Sequence, residues 1–236
     1  MISAPLAELG VRVVVGNVPT TVASTLGNGL VAHYKMNDNA DSYVVVDSKG
    51  SNNGTSIRKT NVVTASGKIS TALTFNGSND KISLNSNFGL GGQKKMSVSL
   101  WLNGIPLAGF KGIFTNTTDN VVDLVIGYDV SNIYFSTENG DGYIASGVVN
   151  RAGWHHLVAT KSDTEVRMYY DGVEVGNSPQ PNTTIIPSEN FILGLDRSVA
   201  GRYYQGSMDD VRIYDRALTP NEITQLYNGE AGTEAE

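Results

Sequence analysis

From about residue 30 to residue 215 the chain alternates short apolar runs with clusters of Gly, Asn, Asp and Ser. Short strands broken at close intervals by turn residues are the sequence form of an all-β sandwich or barrel. In Met96-Ser-Val-Ser-Leu-Trp-Leu102 the aliphatic side chains fall two apart, so Met96, Val98, Leu100 and Leu102 share one face of a strand. Ile133, Phe135 and Val148 stand in similar short runs. In Thr164–Val175 (TEVRMYYDGVEV) the pair Asp171-Gly172 between β-rich flanks predicts a two-residue hairpin, because both turn residues need positive φ. The helical period is convincing in one place, Leu218–Tyr227. Thr219 caps it, Pro220 takes its first position and Glu222 completes a capping box. Ile223, Leu226 and Tyr227 give that helix one apolar stripe to lay on the sandwich, and Gly229 ends it.

The ends read differently. Residues 1–28 hold one strand-like run, Val11–Val15 (VRVVV), then a linker from Pro19 to Asn28. This arm is either an extra strand of the same domain or a contact for a sheet edge, a second copy or an assembly. Residues 29–229 form one sandwich domain, and 230–236 are a loose tail. The start lacks a basic segment followed by a long apolar stretch, so no secretory signal is expected. No apolar run approaches a membrane span.

Composition narrows the chemistry. With 17 basic and 23 acidic residues the net charge is −6, which disfavours a phosphate-backbone partner, so no nucleic acid is expected. The absence of cysteine removes disulfides, thiolate metal sites and cysteine nucleophiles. Sandwich-type glucanases need paired carboxylates facing one cleft. Here the acids sit mostly in turns (Asp38, Asp41, Asp80, Asp119, Asp141, Asp163), and Glu165 alternates with Arg167 as on an exposed strand face. His155 and His156 are adjacent, so on a strand they point to opposite faces and cannot share a metal. No catalytic constellation is expected.

A metal rim is the stronger chemical signal. Alternation through Asp209-Asp-Val-Arg-Ile213 puts Asp209 on the side of Val211 and Ile213, and an inward carboxylate is costly unless compensated. The loop Asp47–Thr55 offers Asp47, Asn53 and the carbonyls around Gly50, hard oxygen donors of the kind Ca²⁺ takes. The plainer alternative is that Asp47 and Asn53 are turn residues bonding their own backbone. Trp101, opposite the aliphatic face of its strand, is either a sugar platform or buried under a covering element, the commoner fate, and Trp154 reads as core. Tyr143, Tyr203 and Tyr204 lie in Gly-rich loops, where aromatic residues more often meet ligands.

In order along the chain, several fragments resemble the laminin-G-like jelly rolls of the concanavalin A-like lectin/glucanase superfamily. They are Gly29–Tyr34, Asp47–Thr55, Ala72–Ile82, Met96–Trp101, Gly153–Leu157, Tyr169–Gly172, Gly206–Tyr214 and Arg216–Ile223. The resemblance implies two antiparallel sheets face to face and a structural calcium at the rim. Its ligands would be Asp47, Asp209, the Gly50 carbonyl and Asn53, with Asp210 as a supporting acid. It implies glycan or protein binding without catalysis. The arm at 1–28 lies outside it and suits a component assembled from the cytoplasm, such as a phage virion decoration or appendage protein. A secreted carbohydrate-binding module is the alternative.

Overall fold

The computed structural model describes residues 25–106, 109–118, 121–137, 143–147, 149–179, 184–185 and 190–229. Two antiparallel sheets of eight strands each make up the molecule. The first contains β1 (Leu30–Tyr34), β4 (Thr64–Ser66), β5 (Thr71–Asn76), β7 (Met96–Asn103), β12 (Trp154–Lys161), β13 (Glu165–Tyr170), β14 (Val173–Pro179) and β16 (Gln205–Tyr214). The second contains β2 (Val44–Val45), β3 (Gly54–Ser56), β6 (Ile82–Ser83), β8 (Lys111–Thr118), β9 (Val121–Tyr128), β10 (Ile133–Thr137), β11 (Ile144–Ala145) and β15 (Ile192–Leu193). Strand order is β14-β13-β12-β7-β16-β5-β4 in the first sheet, with β1 also on β16, and β11-β10-β9-β8-β15-β6-β3-β2 in the second. This is the expected β-sandwich. Two short helices complete it, α1 (Thr60–Val63) and α2 (Pro220–Tyr227).

The core lies between the sheets. The four aliphatic residues of β7 enter it together and meet Leu124, Ile126, Ile133 and Phe135 of the second sheet. The Asp171-Gly172 turn forms as expected, with φ of 50° and 78°. Helix α2 carries the full capping box, Thr219 Oγ1 accepting from the Glu222 amide and Glu222 accepting from the Thr219 amide. Val148 lies outside the described residues.

A second, smaller core sits on the outside of the first sheet, where Ile223 and Leu226 of α2 cover Val158, Tyr169 and Tyr214. This explains why β7 is buried on both faces. Trp101 lies here, 3% exposed, stacked on Tyr227 with the Lys68 ammonium 4.4 Å from its ring centre. Of its two expected fates it has the buried one. Leu26 also belongs to this core. Arg216 donates to the backbone oxygens of Asn28 (2.8 Å) and Thr25 (3.1 Å). Residues 25–28, expected within the arm, therefore fold onto the sandwich. Trp154 is only half buried, not a core residue, because it begins β12 beside exposed Gly153.

Candidate functional site

The outward face of the second sheet carries an aromatic shelf. Its floor is Tyr134, which points away from the core because its neighbours Ile133 and Phe135 point in. Tyr134 is paired across the sheet with Gly127, and Gly127 with Gly112. Both glycines are needed for space. A Cβ on Gly127 would stand 2.5 Å from the Tyr134 hydroxyl, and one on Gly112 would stand 2.3 Å from the Asp196 amide. The missing side chains let the tyrosine ring and the 195–203 hairpin lie flat on the strands.

Two half-exposed rings flank this floor. Phe110 (49% exposed) meets Tyr134 edge-on with centroids 5.6 Å apart, and Tyr143 (47% exposed) stacks beside it at 6.3 Å. Val125 and Ser136, a cross-strand pair, extend the surface. Asp196 and Arg202 close one side, joined at 2.7 Å, with the guanidinium 5.1 Å from the centre of the Phe110 ring. The result is an open hollow. Burial pushes the Tyr134 hydroxyl well above its ordinary pKa, and burial with nearby Asp129 pushes Tyr143 up, so both stay protonated as donors.

The three tyrosines read from the sequence part company here. Tyr143 belongs to the shelf. Tyr203 faces the other side of the 195–203 hairpin, in a hollow with Leu195, Arg197 and Val199. Tyr204 is a core residue, fully buried, its hydroxyl near the backbone oxygens of Asn103 and Ser207. It cannot touch a ligand: loop composition does not distinguish it from Tyr203, but the strand that follows turns it inward.

The rim is also rearranged. Strand β16 bulges between Asp209 and Arg212, with Asp210 at φ 48°. Two residues then oppose one on β7, so Met208 and Val211 both reach the core and Asp209 does not. The alternation expected for Asp209, Val211 and Ile213 is broken there, and Asp209 stands opposite Trp101 on the outer face. Its Oδ2 accepts from the Ile69 amide at 2.7 Å, and its buried Oδ1 has no hydrogen-bond partner among the described residues. Asp210 takes the position towards β1. It lies 2.6 Å from His33 Nε2 and binds Arg212, and against its own burial the His33 hydrogen bond and the Arg212 charge hold its pKa down to about 2.

Asp47, Gly50 and Asn53 do come together in one loop. The Asp47 carboxylate accepts from the amides of His33, Lys49 and Asn52, and the Asn53 side chain accepts from the Asp47 amide. These donors satisfy the turn itself. Among the described residues no hydrogen bond joins this loop to Asp209, and no group of three His or acidic residues is placed to hold a metal ion. Asp209 Oδ1 is a buried carboxyl oxygen without a hydrogen-bond partner among the described residues, and burial pushes the Asp209 pKa up to about 7.

Comparison with known proteins bears on the family and the fold. Residues 76–224, more than half of the chain, match the laminin-G family described as the concanavalin A-like lectin/glucanases superfamily. The chain belongs to this family. Domain 4 of AbnA, a GH43 extracellular arabinanase from Geobacillus stearothermophilus solved with arabinotriose, is 25% identical with a TM-score of 0.64. That match covers 84% of this chain and 98% of that one. The binding domain of Paraclostridial Mosquitocidal Protein 1 shares the fold at 16% identity and a TM-score of 0.67, over 87% of this chain and 53% of that one. Human adhesion G-protein coupled receptor D1 is 29% identical over 86 residues, 35% of this chain and 10% of the receptor. The chain thus spans about a tenth of that curated relative.

In this laminin-G domain the sequence shows only part of the shelf. Tyr143 stands out as a loop aromatic. Phe110 and Tyr134 do not, because one lies in a short linker and the other has the pattern of ordinary strand filling. What marks Tyr134 is its pairing with Gly127, which needs the strand register. No helix among the described residues is long and apolar enough to cross a membrane.

Proposed function

We propose that this laminin-G domain is a non-catalytic glycan-binding module whose contact surface is the Phe110–Tyr134–Tyr143 shelf. The observation that carries it is two half-exposed rings braced on a buried third beside an ion pair. Exposed aromatic surface of this kind, with a few fixed polar groups, is the composition of a small-ligand site. The arabinotriose held by the Geobacillus domain supports a saccharide ligand. A hydrolase would need two carboxylates across the bound sugar. The acid lining the shelf is Asp196, which is buried and already bonded on both oxygens. The module is displayed outside the cell or on a virion surface, and residues 1–28 attach it to an assembly or to other copies.

Screening the full chain on a glycan array, followed by calorimetry, tests the site. Tyr143→Ala and Phe110→Ala should each weaken binding at least tenfold with little change in melting temperature, since both rings are half in water. Retained affinity in both variants, or release of reducing ends from a bound polysaccharide, overturns the reading.

A cation at the rim is the second reading, favoured by the orphaned Asp209 oxygen. An ion bound only by the folded state stabilises it by mass action. Calcium added to metal-stripped protein should raise the melting temperature, and Asp209→Asn should abolish that response. Equal transitions with and without calcium remove this reading.

A further inference from the structure

We infer that the aromatic shelf selects uncharged glycans, an inference that rests on the glycan-binding reading above and names its ligand class. Arg202 is the cation lining the hollow. It is already neutralised by Asp196 at 2.7 Å. Asp196 is 1% exposed, and its other oxygen is taken by the Ser198 amide (2.9 Å) and hydroxyl (2.5 Å). A sugar carboxylate or sulfate that took the remaining Nε and Nη2 donors would share the guanidinium with the Asp196 carboxylate, so it would meet a cation whose charge is already balanced. Drawing Arg202 away instead would leave a buried carboxylate without its counter-ion, an expensive state.

The hairpin bearing this pair cannot easily yield. The Arg202 backbone oxygen accepts from the Gly112 amide (3.1 Å) and the Asp196 amide (3.2 Å), which fixes both residues to β8 and to each other. Farther out, Asp129 acts on both shelf tyrosines, with Arg151 acting on it in turn. Among the described residues that line the hollow the charges of Asp196 and Arg202 cancel, on a chain whose net charge is −6. An approaching anion finds no attractive field.

A neutral sugar finds what it needs. The ring faces of Phe110 and Tyr143 offer apolar stacking area. The Tyr134 and Tyr143 phenols stay protonated, and the Arg202 Nε and Nη2 groups have no partner among the described residues. These are donors for hydroxyl oxygens, set beside a cation that keeps its counter-ion throughout.

The test uses the full chain on an array carrying neutral, uronic, sialylated and sulfated glycans, with Tyr143→Ala run in parallel. The bound glycans that depend on Tyr143 should be uncharged. Their affinity should change less than twofold between 50 and 500 mM NaCl, because no ion pair forms on binding. Asp196→Asn, which strips Arg202 of its counter-ion, should add acidic glycans to the bound set. Should that variant not fold, Arg202→Gln serves, and its affinity for neutral glycans should fall less than tenfold. Tyr143-dependent binding of acidic glycans by the unaltered chain, weakening severalfold with salt, overturns the charge selection but leaves the shelf as a glycan site. Binding that is indifferent to Tyr143, or absent for every glycan, overturns the shelf reading itself.

Discussion

Gly127 shows how one missing side chain shapes a surface. Its Cα lies under the Tyr134 ring, and a Cβ there would stand 2.4 Å from the Lys111 carbonyl oxygen as well as 2.5 Å from the Tyr134 hydroxyl. The carbonyl belongs to the sheet and cannot move far. Gly127→Ala should therefore cost about 1–3 kcal/mol, the usual range for overpacking, and should lift Tyr134 from the floor. Gly27, with open space around its Cβ position, is the matched control, and Gly27→Ala should be near neutral. Urea denaturation of the two variants reads the difference, and glycan affinity should drop only in the first. The sequence alone shows Gly127 as one of 26 glycines. What distinguishes it is the residue opposite, and register is a property of two strands at once.

At the level of elements, period-two and capping signals carried most of the fold. The β7 alternation, the Asp171-Gly172 hairpin and the α2 capping box are each decided within a dozen residues, so each was readable. The β16 bulge was not. It depends on Met208 and Val211 both finding core space while Asp210 takes positive φ, and no local motif announces it. That single irregularity moved Asp209 off the expected face. Helix α2 permits a sharper test. Glu222 is buried, bonded by Arg216 at 2.7 and 2.8 Å, by Thr219 and by the Thr25 hydroxyl, and these bonds, that of Arg216 foremost, hold its pKa down to about 2. A lowered carboxylate pKa means stability present above the unfolded value, near 4.5, and lost as pH falls towards 2. The shift sets a ceiling of about 3 kcal/mol. Glu222→Gln should lose about 1–3 kcal/mol at pH 7, and most of that gap should close between pH 4.5 and pH 2.5, the rest below pH 2. His156, buried and lowered to about 4 chiefly by desolvation, titrates between 6.5 and 4. It is present in both proteins, so their difference isolates Glu222. Parallel stability curves down to pH 2.5 would contradict this account.

For the whole molecule, the outer core under α2 ties the two ends of the sandwich together. Leu26 enters it from the N-terminal side, while Leu218, Ile223 and Leu226 enter from the C-terminal side. Thr25 and Asn28 add polar ties to Glu222 and Arg216. The family fragments begin at Gly29, so a boundary drawn from the sequence falls just after these residues, and their share in the fold is missed. The difference can be measured with two truncations. Removal of residues 1–24 leaves every one of these ties in place and serves as the reference. Removal of residues 1–28 strips a buried leucine, worth about 1.5–3 kcal/mol of apolar burial, and leaves Arg216 without two acceptors. That loss should lower the melting temperature of a domain this size by several degrees. Attachment to an assembly through residues 1–28 should fail already in the shorter truncation, while the loss of Leu26 and its neighbours is felt in the longer one alone. Identical melting temperatures for the two truncations would mean that the outer core does not hold the first strand, and α2 would be a cover on the sandwich instead of its clasp.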